Sequence, residues 1–149
     1  MKLLHTLVFI FIICFVNAQE PFITQWKTNH PGVTDNFSIQ IPLAEESTYD
    51  FEVQWGDGNI DTYTGLGAEL TAMHTYADSG IYEVSIGGEF PRIIFEYQND
   101  REKIIDIIQW GDIDWENFNS AFMGCINLEV NASDAPDLSN VTNMASMFG

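Results

Sequence analysis

Two stretches near the end of the chain repeat one spacing of apolar residues. Trp115-Glu-Asn-Phe118-Asn-Ser-Ala121-Phe122 and Val141-Thr-Asn-Met144-Ala-Ser-Met147-Phe148 are apolar at their first, fourth, seventh and eighth positions, and Phe122 and Phe148 lie 26 residues apart. Upstream, Asp112-Ile-Asp-Trp115 keeps step with Leu138-Ser-Asn-Val141. A period of about 20 to 30 residues marks a stacked array, because one turn of such an array cannot bury its own apolar face. The second unit stops at Gly149, one residue past its Phe. The chain is therefore expected to be the front part of something longer, with its last unit poorly supported.

The opening residues have a different logic. Lys2 precedes an apolar run from Leu3 to Val16, and Asn17-Ala18-Gln19 closes it. This is the order of a secretory signal peptide, with cleavage expected between Ala18 and Gln19. The run falls short of the roughly 20 apolar residues that cross a bilayer, so no membrane span is expected after its removal. Cys14 lies inside the apolar core rather than after a small-residue box, which argues against lipid attachment.

Five Lys and Arg face 22 Asp and Glu, for a net charge of −17. Such a balance disfavours nucleic acid and anionic membrane surfaces, both of which call for basic patches. Past residue 18 the one cysteine is Cys125, so no internal disulfide is expected. Set among Phe122, Met123, Ile126 and Leu128, it reads as a small buried hydrophobe.

Residues 20–97 read as a small all-β unit. The strand candidates are Phe22–Trp26, Phe37–Ile41, Tyr49–Trp55, Ile60–Tyr63, Ile81–Ile86 and Arg92–Phe95, separated by Gly-, Asp- and Pro-containing turns. Phe51, Val53 and Trp55 alternate with Asp50, Glu52 and Gln54, the period of a half-buried strand. Short strands at this spacing predict an antiparallel, Ig-like β-sandwich. Within it, Val53-Gln-Trp55-Gly56-Asp57-Gly58 followed by His74-Thr-Tyr76-Ala-Asp-Ser-Gly80-Ile-Tyr82-Glu-Val84 resembles the paired motif of PKD-type domains. The chain departs from that pattern where Trp55 meets Gly56 directly.

Asp57 and Asp61, with Asp50 and Asp78, are the candidate Ca²⁺ ligands, since a hard cation suits oxygen-rich turns. No Asp-x-Asp-x-Asp-Gly ladder accompanies them, and a self-capped turn with solvated neighbours is the plainer account. No cofactor is otherwise expected.

From Asn99-Asp-Arg-Glu-Lys103 onward the character changes. Ile104–Ile108 reads as a buried strand, Asp114–Phe122 as a short helix presenting Phe118, Ala121 and Phe122, and Asn127–Val130 as another strand. A second helix is expected through Met144 and Phe148. Asp137-Leu138-Ser-Asn-Val141-Thr-Asn-Met144-Ala-Ser-Met147-Phe148, with Phe122-Met-Gly-Cys125-Ile-Asn-Leu128, resembles the repeats of BspA-type leucine-rich repeat surface proteins. That resemblance implies a bacterial cell-surface protein and, for residues 100–149, the first turns of a strand/helix solenoid behind the sandwich of residues 19–99.

Catalytic signatures such as Gly-x-Ser-x-Gly or His-Glu-x-x-His are not found. The expected function is non-catalytic adhesion, secreted or at the cell surface, with a protein or matrix ligand held by the repeats. The alternative is a carbohydrate-binding module using Trp26, Trp55, Trp110 or Trp115 as a stacking platform for glycans.

Overall fold

The computed structural model describes residues 19–149, so the expected signal peptide, residues 1–18, lies outside them. The described chain is mainly β, as the alternation predicted. Its strands are β1 (Phe22–Lys27), β2 (Ser38–Ile41), β3 (Thr48–Gln54), β4 (Ile60–Leu66), β5 (Ala72–Thr75), β6 (Ile81–Glu89), β7 (Ile104–Gln109) and β8 (Glu129–Val130). Six of them form a mixed sheet in the order β4-β3-β6-β1-β7-β8, and β2 pairs with β5 in a small second sheet. All pairings are antiparallel except β7 with β8.

β3 shows how the sequence selects this arrangement. Tyr49, Phe51 and Val53 are buried while Thr48, Asp50, Glu52 and Gln54 are exposed, so a one-residue slip would invert every side chain. β2 and β5 add Ile39, Ile41 and Ala72 to the same core. Most polar atoms inside it are satisfied locally. Trp26 Nε1 donates to Thr24 Oγ1 at 2.8 Å, and the Tyr49 hydroxyl donates to Arg92 O while accepting from Ala44 N, both at 2.9 Å.

Two expectations for residues 20–97 are corrected. Arg92–Phe95 is not a strand: Pro91 interrupts the ladder, and Phe95 N donates instead to Ala121 O at 3.0 Å. β5, which the sequence reading passed over as part of a His-Thr-Tyr segment, pairs along its whole length with β2.

The larger correction concerns residues 100–149. The expected strand/helix solenoid does not form, and no α-helix occurs among the described residues. Residues 119–124 and 145–148 are turns where helices were expected. The reason is local. Asn117 Oδ1 accepts from Asn119 N at 2.8 Å and Asn143 Oδ1 from Ala145 N at 2.9 Å, side-chain bonds that compete with helical ones. Ser120 and Ser146 take φ of 55° and 54°, a conformation no α-helix accommodates. Backbone donors then bond sideways: Phe118 N, Ser120 N and Phe122 N reach Asn143 O, Ala145 O and Met147 O at 2.8–2.9 Å.

One aromatic core joins the two regions. Trp115 meets Phe22 of β1 and Phe90, just past β6, at 5.1 and 5.9 Å between ring centroids, and Phe118 at 4.9 Å. β7, which follows the charged stretch at 99–103, lies within the six-stranded sheet beside β1.

Candidate functional site

The turn between β3 and β4 gathers most of the residues that the sequence singled out. Gly56 has φ of 84°, and a Cβ there would meet Glu83 O at 2.4 Å, so the turn requires glycine. Asp57 accepts from His74 Nε2 at 2.8 Å and from Asn59 N and Nδ2 at 3.0 and 2.9 Å. The His74 ring stacks on Trp55 and meets Tyr76 edge-on, and Tyr76 stacks on Tyr82. Tyr76 donates to Trp55 O, Tyr82 to Asp78 O, and Gly80 N to Thr28 Oγ1. Asp57, His74, Tyr76 and Tyr82 thus spend their polar groups on neighbours within the motif, which makes it a brace between the two sheets.

The same contacts bear on Ca²⁺. Asp57 is engaged by His74 and Asn59, whereas Asp61 accepts from Trp55 Nε1 at 2.8 Å. Among the described residues no three His, Cys, Asp or Glu side chains converge as metal ligands.

Asp57 carries a pH dependence. Burial pushes its carboxyl up, but the hydrogen bonds from His74 and Asn59 outweigh it and bring the pKa from 3.8 down to about 2. A carboxylate depressed on folding stabilises the native state above its unfolded pKa and loses that contribution as pH falls. Acid unfolding should therefore steepen between about pH 4 and pH 2, and Asp57→Asn should flatten that limb in urea titrations across the same range. An unchanged acid limb in the variant would remove this role for Asp57.

The four tryptophans are all interior, at 1%, 0%, 4% and 0% exposure for Trp26, Trp55, Trp110 and Trp115. None offers a face to a sugar ring. Of the repeat residues, Phe118, Phe122 and Met147 are buried, and Cys125, Leu128 and Val141 pack partly buried against the core. Leu138, Met144 and Phe148 are exposed. Burial pushes the Cys125 thiol up to about 12, so it stays protonated and unreactive near neutral pH.

The sequence reading missed two clusters. The first is an ion pair inside the stretch read as a charged break. Asp100 and Lys103 are both fully buried, with Lys103 Nζ 3.8 Å from Asp100 Oδ1. Nζ donates to Thr34 Oγ1, Asp35 O and Ser38 O at 2.7, 2.6 and 2.9 Å, and Asp100 accepts from Thr34 N and Gln40 N.

The second is a polar cleft of about 440 Å³ where the sheet end meets the C-terminal turns. Its walls come from the loop before β3 (Glu46, Ser47), the segment after β6 (Pro91, Arg92), and Glu116, Asn117 and Thr142. Hydrogen bonds hold these walls together: Glu116 N donates to Pro91 O and Thr142 N to Glu116 O, both at 3.0 Å. Arg92 is 8% exposed, and its Nη1 donates to Glu46. Its enclosed Nε has no acceptor among the described residues. An orphaned buried donor of this kind costs about 1–3 kcal/mol. The available signal was scarcity: Arg92 is one of only five basic residues in the chain, set between Pro91 and an apolar pair.

Comparison of the chain with known protein families, curated proteins and solved structures found no match. The resemblances to PKD-type domains and BspA-type repeats are therefore not supported: no family relationship carries them, and the helices that the second requires are absent from the described residues.

Proposed function

We propose that the chain is a non-catalytic binding module of the secreted or cell-surface space, holding a matrix ligand in the Arg92 cleft. The supporting observation is Arg92 itself, a largely buried guanidinium at the wall of an open, polar hollow. Binding sites are concave and place a few convergent polar groups where two structural units meet. The side chains best suited to catalysis are engaged elsewhere. His74 is locked between Asp57 and Trp55, His30 faces Glu102 O at 3.0 Å, and Cys125 is held protonated. A second reading, a protein ligand on the C-terminal unit, draws on the exposed Leu138, Met144 and Phe148.

Retention of the labelled chain on immobilised collagen and on insoluble cellulose, chitin and xylan tests the proposal. The expected result is retention on at least one surface with no release of reducing ends or peptide fragments. Retention on none, or steady breakdown of the support, would overturn it.

A further inference from the structure

We infer that the Arg92 cleft recognises a neutral saccharide chain through its hydroxyl groups, without an aromatic platform. The inference rests on the binding reading above and adds the ligand's chemical class.

Shape comes first. A second hollow of about 400 Å³ shares Thr48, Pro91 and Glu116 with the first and continues along Glu89 and Asp114. Two adjoining hollows suit an elongated ligand. Apart from Pro91, the lining of the first is made of groups that exchange hydrogen bonds with alcohols. Ser47, Thr48 and Thr142 each donate and accept, Glu116 accepts, and Arg92 donates. Asn117 spends its Oδ1 on Asn119 N, so its amide NH₂ remains to donate.

Arg92 supplies a fixed cationic donor on the wall. Its partner Glu46 sits on the outer lip with a side chain 68% exposed, free to turn into water, whereas the Arg92 side chain is only 10% exposed. A ligand hydroxyl entering the cleft would meet the small exposed part of a guanidinium that the protein holds in place.

Charge and anatomy discriminate among the alternatives. Glu46, Glu89, Asp114 and Glu116 line the hollows of a chain with net charge −17, which repels phosphate, sulfate and uronate polymers. A protein partner needs an apolar or aromatic anchor in a dry pocket. Here Phe90 is buried at 1%, and Pro91 is the one apolar residue on the wall the hollows share. With every tryptophan interior, hydrogen bonds must supply the recognition, so a dissociation constant on the order of 0.1–1 mM is expected.

The test is calorimetric titration of the intact exported chain with cellohexaose, xylohexaose, mannohexaose and chitohexaose, using hexagalacturonate as the anionic control. At least one neutral hexasaccharide should bind, and hexagalacturonate should not. Arg92→Gln should abolish binding, but it disturbs a buried group, so two milder variants accompany it. Asn117→Asp keeps the oxygen that accepts from Asn119 and loses the NH₂, and Glu116→Ala removes an exposed acceptor. Each should weaken binding about tenfold with the unfolding midpoint unchanged. Tighter binding of hexagalacturonate, no binding of any neutral hexasaccharide, or binding indifferent to both milder variants overturns the inference. Retention on collagen alone would also overturn it, while leaving the broader binding proposal intact.

Discussion

Asp100→Ala should destabilise the chain by about 3–5 kcal/mol, among the largest losses available to a single substitution here. The substitution strands the Lys103 ammonium in a fully buried position. It also leaves Thr34 N and Gln40 N without their acceptor, the latter at 2.8 Å in the intact chain. Burial already lowers the Lys103 pKa, with Asp100 and then Asp35 opposing that fall, so losing Asp100 moves it further down. Thr34 Oγ1 bridges the pair, lying 2.7 Å from Lys103 Nζ and 2.7 Å from Asp100 Oδ2. Lys103→Met should be similarly costly, because three backbone oxygens of the 34–38 loop lose their donor. The double variant should cost much less than the two single losses added, since each partner's burial is penalised only while the other is missing. Urea unfolding of the three variants measures this, and a loss below about 1 kcal/mol for Asp100→Ala would show that water replaces the carboxylate freely.

Trp115→Ala should cost about 3–5 kcal/mol, for a different reason. Trp115 is fully buried and joins four aromatic neighbours: Phe22, Phe90, Trp110 and Phe118. Truncation opens a cavity where the sheet and the C-terminal turns share their core. Trp115→Phe should be much milder, because it also removes an enclosed indole N–H without a partner among the described residues. Equal losses for the two variants, read from thermal unfolding, would mean that the indole donor finds an acceptor and that ring size matters little.

The legible part of this fold was its alternation. β3 and β6 follow directly from apolar residues every second position, and the Trp55 turn follows from Gly56-Asp57-Gly58. The repeat of Phe122 at Phe148 was legible as well, and those rings stack 5.4 Å apart. What was misread is the backbone between them. A spacing of i, i+3, i+4 implies a helix only if backbone donors stay within the segment. Here Asn117, Ser120, Asn143 and Ser146 set turns, and donors of the first bond to carbonyls of the second. Asp100 and Lys103 were misread for a related reason. Charges three apart in a polar stretch look solvated, and only the carbonyls of a loop some 65 to 69 residues away show that they are interior. The cleft was illegible because Glu46, Arg92, Glu116 and Thr142 come from four separate segments.

A single core spans residues 20–97 and 104–149, and the cleft exists only where that core fixes their walls together. Native-state hydrogen exchange in rising urea, read by mass spectrometry on peptides covering β2–β3 and β7 through residue 124, tests this most directly. The two regions should reach a common opening free energy and lose protection at the same urea concentration. Opening of the C-terminal region at distinctly lower urea, with β2–β3 still protected, would contradict it.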